Sequence, residues 1–203
     1  MMRKKAEAGI GSLILFIAMI IVASITVTVF MQTAGSLQNK ALTTASASQS
    51  MVSNRMNVAA ITAIDGENSD IKQFRIRSSV VAGSDGIKLS TALLSMELSN
   101  GNIDLVYSNE SCVNVSDSSG DGYFTDGVNS NGTFTVSYLT RGAAYAKGYL
   151  QRGDVINICF EGPRNISEDE NLKITFAPAK SSQTITSVSV PDIITTTYVR
   201  LYP

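Results

Sequence analysis

The chain has 203 residues, with 16 Lys+Arg against 17 Asp+Glu, no His and two Cys. That length holds one ordinary domain plus an appendage. Nearly balanced charge leaves no basic surface large enough for nucleic acid, and the lack of His excludes imidazole triads and Cys/His metal clusters.

Arg3, Lys4 and Lys5 open the chain, and from Ala8 to Asn39 there is no ionisable side chain. Ile10 to Met31 is almost wholly apolar; as a helix it rises about 33 Å, enough to cross a hydrocarbon core of roughly 30 Å. The basic cluster before it keeps the N-terminus in the cytoplasm and carries the chain beyond Met31 outside, so membrane insertion is expected. A secretory signal peptide has a shorter apolar stretch and a small-x-small cleavage site, which this run does not resemble. Leu37, Ala41, Ala45, Val52, Met56 and Ala60 continue the pattern, mostly at four-residue spacing. The spacing predicts one rod from Glu7 to Ile64, about 87 Å long, ending at the turn dipeptide Asp65-Gly66. The Ser/Thr-rich stretch Thr43 to Ser53 is a candidate hinge. A rod of that length exceeds what a bilayer covers, so its surface needs a second dry partner. Side-by-side copies of Ile10, Leu13, Ile14, Ile17 and Ile21 are the expected one.

The remainder, 65–203, reads as an all-β sandwich, and the whole chain as α+β. Alternation marks strands at Thr133–Tyr138, Ile156–Phe160 and Leu172–Phe176. Further strands fit Ile71–Val80, Ile87–Leu98, Ile103–Tyr107, Thr184–Val190 and Ile193–Tyr202, separated by Gly, Asn, Asp or Pro. Arg152-Gly153-Asp154 spells an adhesion tripeptide but sits between two strands as a tight turn does. Asn109, Asn114, Asn131 and Asn165 each begin an Asn-x-Ser/Thr sequon and are candidates for N-glycosylation. Cys112 and Cys159 are available to pair in an oxidising exterior, with two buried free thiols as the alternative. Asp117, Ser119, Asp121, Tyr123 and Thr125 fall at the ligand spacing of an EF-hand loop around Gly122. Val128 replaces the bidentate Glu, so Asp126 or a distant residue would have to complete a calcium site; a solvated turn is the plainer reading. No cofactor is required, and no Ser nucleophile has a base or a Gly-x-Ser-x-Gly elbow beside it. No active site is assigned.

Lys4-Lys5-Ala6-Glu7-Ala8-Gly9-Ile10-Gly11-Ser12-Leu13-Ile14-Leu15-Phe16-Ile17-Ala18-Met19 resembles the start of archaeal flagellins, the archaellins. The tail Val188–Pro203 also resembles the ends of that family. The resemblance implies a class III, prepilin-type signal over residues 1–6, cut between Ala6 and Glu7, with Ala6 at the position usually filled by Gly. It further implies a filament-core helix and an immunoglobulin-like outer domain. The expected product is a rotating surface filament built from copies of the chain or from related archaellins, with a prepilin peptidase and an assembly platform as partners. Two alternatives stand beside it: an adhesive pilin of the same assembly class, and a membrane-anchored extracytoplasmic enzyme or binding protein.

Overall fold

The computed structural model describes residues 2–66, 70–109, 112 and 132–203, with side chains from residue 9 onward. One helix, α1 (Met2–Ser53), precedes the strands β1 (Met56–Ala63), β2 (Asp70–Val80), β3 (Ile87–Lys88), β4 (Ala92–Leu98), β5 (Gly101–Tyr107), β6 (Thr133–Thr140), β7 (Tyr149–Leu150), β8 (Val155–Ser167), β9 (Asn171–Pro178), β10 (Thr184–Ser189) and β11 (Val199–Tyr202). The chain divides into two compact units, residues 1–48 and 49–203.

No Pro interrupts α1, and its hydroxyls do not compete with the helix. Ser12, Ser24, Thr26, Thr28 and Thr33 each donate to a carbonyl three or four residues back, at 2.8–3.0 Å, so each is satisfied without water. The expected hinge at Thr43–Ser53 is continuous helix, and Thr43 Oγ1 donates to Lys40 O at 2.9 Å.

The helix stops at Ser53, not at Ile64 as the apolar spacing predicts; Met56–Ala63 is strand β1. A four-residue spacing is two strand repeats as well as about one helical turn, so Val52, Met56 and Ala60 satisfy both patterns. Tertiary hydrogen bonding decides between them. Asn54 N makes the last helical bond, to Ser50 O at 3.0 Å, and Asn54 Oδ1 then accepts from Asp85 N at 2.8 Å. Ser84 Oγ donates to Ser53 O at 2.8 Å and accepts from Arg55 N at 3.0 Å. Ser182 Oγ donates to Met51 O at 2.7 Å, while its N–H donates to Asn54 O at 2.9 Å. Carbonyls that a helix C-terminus leaves orphaned are thus met by side chains distant in sequence.

Nine strands form one sheet in the order β10-β9-β4-β5-β6-β8-β2-β1-β11, and β3 pairs separately with β7. Every pairing in the large sheet is antiparallel except β5–β6, which rests on Val106↔Thr133 and Tyr107↔Phe134. At that short parallel seam the sheet folds over. β6 and β9 stand three places apart, about 14 Å on a flat sheet, yet the rings of Phe134 and Phe176 meet edge-on at 6.4 Å. The two layers, β6-β8-β2-β1-β11 and β5-β4-β9-β10, therefore enclose one core. Phe74, Ile76, Phe160, Leu94, Met96 and Ile174 fill it, with Phe74 and Phe160 stacked at 5.4 Å. Expected strand 87–98 is split by a helical turn at Leu89–Thr91, and expected strand 193–202 is ordered as β only over Val199–Tyr202.

Candidate functional site

The surface that demands a partner is the helix. Ile10, Leu13, Ile14, Ile17 and Ile21 are 50–62% exposed, and their spacing places them along one side of a 3.6-residue helix. Leu15, Phe16, Met19, Ile20 and Val22 occupy the other sides and are exposed too. A helix apolar all round lacks the polar face that lets an amphipathic helix stop at one contact. Gly9, Gly11, Ser12, Ala18, Ala23, Ser24 and Gly35 interleave the large side chains, and small residues allow helices to approach closely. Because its hydroxyls are bonded to its own backbone, this surface exposes little that water must satisfy. Ala6 and Glu7 lie within the first turns of α1.

The head carries the remaining sequence-predicted positions. Cys112 and Cys159 are joined by a disulfide with Cα atoms 5.9 Å apart. Cys159 is fully buried and packs with Ile64 and Cys112 on the side of β8 opposite the core. The bridge holds Cys112, of the β5–β6 connection, against that face. Asn109 is exposed just past β5, and Asn165 is exposed on β8 with its Nδ2 donating to Asp70 Oδ2 at 2.6 Å. Asn114 and Asn131, and the candidate calcium ligands Asp117, Ser119, Asp121, Tyr123, Thr125 and Asp126, lie outside the described residues.

Arg152-Gly153-Asp154 is a turn leading into β8. Gly153 has φ +85°, a region that favours glycine. The Asp154 carboxylate is buried and accepts from Gly142 N at 2.7 Å and Gln151 N at 2.9 Å. A carboxylate held this way is a structural anchor, not a group displayed to a receptor. A Cβ on Gly142 would collide with Arg152 O, which explains why a glycine faces this turn.

Two other carboxylates are shifted in opposite directions. Burial pushes Asp65 above the usual carboxylate range, against the lowering effect of N–H bonds from Gln73 and Lys72. The Arg164 guanidinium holds Glu170 below that range, with Ser99 Oγ donating as well. Sequence reasoning missed the anchors Ser84, Ser182 and Asp154, since Ser and Asp in loops look alike whether solvated or buried. The pattern of donors that they meet exists only once the strands are paired.

The profile of the archaeal-type flagellin family matches residues 6–188. Flagellin B1 of Thermoplasma volcanium is 39% identical over 108 residues, covering 51% of this chain and 44% of that protein. Flagellin B3 of Halobacterium salinarum is 33% identical over 129 residues, covering 63% of this chain and 64% of that one. The matched stretch is thus under two thirds of these relatives' own lengths. In fold, the chain is similar to a subunit of the archaeal flagellum of Methanospirillum hungatei, with a TM-score of 0.65 at 12% identity over 96% of this chain and 99% of that one. It is also similar to a crystal structure of an archaeal flagellin from Methanocaldococcus jannaschii, with a TM-score of 0.57 at 16% identity over 73% and 97% of the two chains. A long apolar N-terminal helix followed by a β-sheet domain is common ground, and with the profile running through nearly the whole length, this chain belongs to the archaeal-type flagellin family.

Proposed function

We propose that this chain is a structural subunit of the archaeal motility filament, polymerised outside the cell through its N-terminal helix and carrying no catalytic role. The observation that carries this reading is the helix surface: ten large apolar side chains between Ile10 and Val22, all exposed and distributed around the axis. In water each such side chain forgoes about 1.5–3 kcal/mol that burial would supply. A bilayer shelters the segment first. Cleavage between Ala6 and Glu7 by a prepilin-type peptidase then removes Arg3, Lys4 and Lys5, changing the formal balance from 16 − 17 to 13 − 17. Without those three charges the N-terminus is no longer held at the cytoplasmic face. Neighbouring helices in a filament core provide the next dry environment, and the small residues supply the close contact that lipid cannot.

Membership of the family supports this role, as does the fold shared with the flagellum subunit of Methanospirillum hungatei. Several flagellins occur in single organisms, among them A2, B1, B2 and B3 of Halobacterium salinarum, so mixed filaments with paralogous subunits belong to the same reading. An assembly platform at the membrane would deliver the processed subunits to the growing polymer.

The test is Ile17→Asp. An unpaired carboxylate in an apolar bundle costs several kcal/mol or must take up a proton, so filaments are expected to vanish from the cell surface at neutral pH while the melting midpoint of the head is unchanged. Normal filaments from that variant, seen by electron microscopy, would remove the helix from the filament core.

A further inference from the structure

We infer that the heads of neighbouring copies join end to end, the exposed turn Pro191-Asp192-Ile193 of one head seating in a lysine-rimmed cavity at the opposite end of the next. This contact rests on the filament reading and adds to it an interface made by the heads themselves.

The strands of the head run between two ends. One end holds the junction with α1, where Asn54 Oδ1 accepts from Asp85 N, Ser182 N donates to Asn54 O and Gly86 lies against Gln151. Arg55, Lys88, Arg141, Lys147, Arg152 and Lys180 belong to the turns gathered there. Each is exposed and so uncovered, and none forms an ion pair with a described residue. Among the described residues, the carboxylates of this end are exposed Asp85 and buried Asp154.

At the opposite end, Gly66 N donates to Thr197 O, Ile194 N to Glu168 Oε1 at 3.0 Å and Asn165 Nδ2 to Asp70 Oδ2. The cations there, Lys72 and Arg164, are already paired with Glu161 and Glu170. Asp65, Asp70, Glu168, Asp169 and Asp192 have no cation partner among the described residues, so this end is acidic by a wide margin. Val190 and Ile194 are buried, whereas Pro191, Asp192 and Ile193 between them are exposed. Val190 N donates to Glu170 O at 2.9 Å, so both feet of the turn are fixed. Ile193, 73% exposed, is thus an apolar knob beside a carboxylate on an anchored turn.

The basic end has the matching hollow. A cavity of about 500 Å³ is lined by exposed Lys88, Lys180 and Tyr149 and by buried Ile87 and Pro178. The apolar lining suits Ile193, whose burial there is favourable, and the two ammonium groups suit the adjoining Asp192. A copy cannot fill its own cavity, because β9 alone, running between the two ends, is about 23 Å long. Two like ends brought together would set like charge against like. The occupant is therefore a second copy of this chain in the same polarity. Such a heterologous contact need not close, and a contact that does not close generates an open polymer.

The experiment uses filaments from cells making the full chain as their sole flagellin, treated with a zero-length carbodiimide that joins a carboxylate to an amine only where the two touch. Mass spectrometry of the peptides is expected to find Asp192 joined to Lys88 or Lys180, a pair that no single copy can bring together. Intact filaments that yield other crosslinks but none between these residues would overturn the contact and leave the helix-based polymer standing. Charge reversal gives a second arm. Asp192→Lys, and separately Lys88→Glu with Lys180→Glu, are each expected to lower filament yield about tenfold or more with the melting midpoint of the head unchanged. A mixture of the two variant chains, which can alternate, should recover. Wild-type yield from each variant would overturn the contact, as would loss without recovery in the mixture. Absence of filaments from the unsubstituted chain would overturn the filament reading and this inference together.

Discussion

Glu170 accepts from Arg164 through both guanidinium nitrogens and from Ser99 Oγ at 2.9 Å, joining the β8–β9 turn to the end of β4. Its folded-state pKa is depressed, so the stability it contributes is present above the ordinary carboxylate pKa and is lost as pH falls through the folded value. Glu170→Gln should therefore lower the melting midpoint at neutral pH, and the gap from the parent chain should close in acid. Thermal melts across a pH series check this; a gap independent of pH would place the effect in packing instead. Asp65 has the opposite sign, its raised pKa favouring the fold in acid and opposing it as pH rises through the folded value. At this scale the sequence was readable where local chemistry dominates. Arg152-Gly153-Asp154 was legible as a turn from Gly and Asp alone. That Asp154 is buried and anchors Gly142 was not, because its partner lies across a fold that only the strand pairing creates.

The end of α1 shows how one element is set by others. Ser84 and Ser182 hydroxyls reach the carbonyls of Ser53 and Met51 from loops about thirty and one hundred and thirty residues away. Ser84 is buried, and leaving partly buried groups unmet where its hydroxyl bridges Ser53 O and Arg55 N costs about 1–3 kcal/mol. Ser84→Ala should accordingly lower head stability by about that amount, read by chemical denaturation, while Ser182→Ala, whose bond to Met51 O is exposed, should cost less and Ser90→Ala, on an exposed turn, should leave it unchanged. The same dependence explains the misplaced helix end. Thr133–Tyr138, Ile156–Phe160 and Leu172–Phe176 alternate strictly and were legible as strands. Met56–Ala63 carries a pattern consistent with either period, and β7 has only two residues, too few for any periodicity. The disulfide also belongs to this scale. It closes a loop with sequence separation 47, for which chain-entropy reasoning gives about 4 kcal/mol. Cys112→Ser with Cys159→Ser should lower the melting midpoint of the head markedly, and reductant should then have no further effect. Equal midpoints with and without the bridge would contradict its role as a staple.

On the scale of the whole molecule, one segment that cannot tolerate water is joined to a domain that already has a complete core. The phenylalanine-lined interior between the layers needs no partner, whereas the exposed isoleucines, leucines and phenylalanines of α1 need one in every state of the protein. The sequence disclosed that division through the run Ala8–Asn39, free of ionisable groups. It did not disclose that Arg75, Arg77 and Arg200 share one face of a sheet layer, since they come together only through the register of β1, β2 and β11. The filament reading places the apolar helix in the dry core of a polymer. Electron cryo-microscopy of filaments from cells making only this flagellin tests it most directly. The expected result is a helical array with Ile10–Met31 of neighbouring copies in mutual contact along the axis and the β domain at larger radius. A filament whose axis is lined by β domains, or one in which Ile10–Met31 lies apart from other copies, would contradict it.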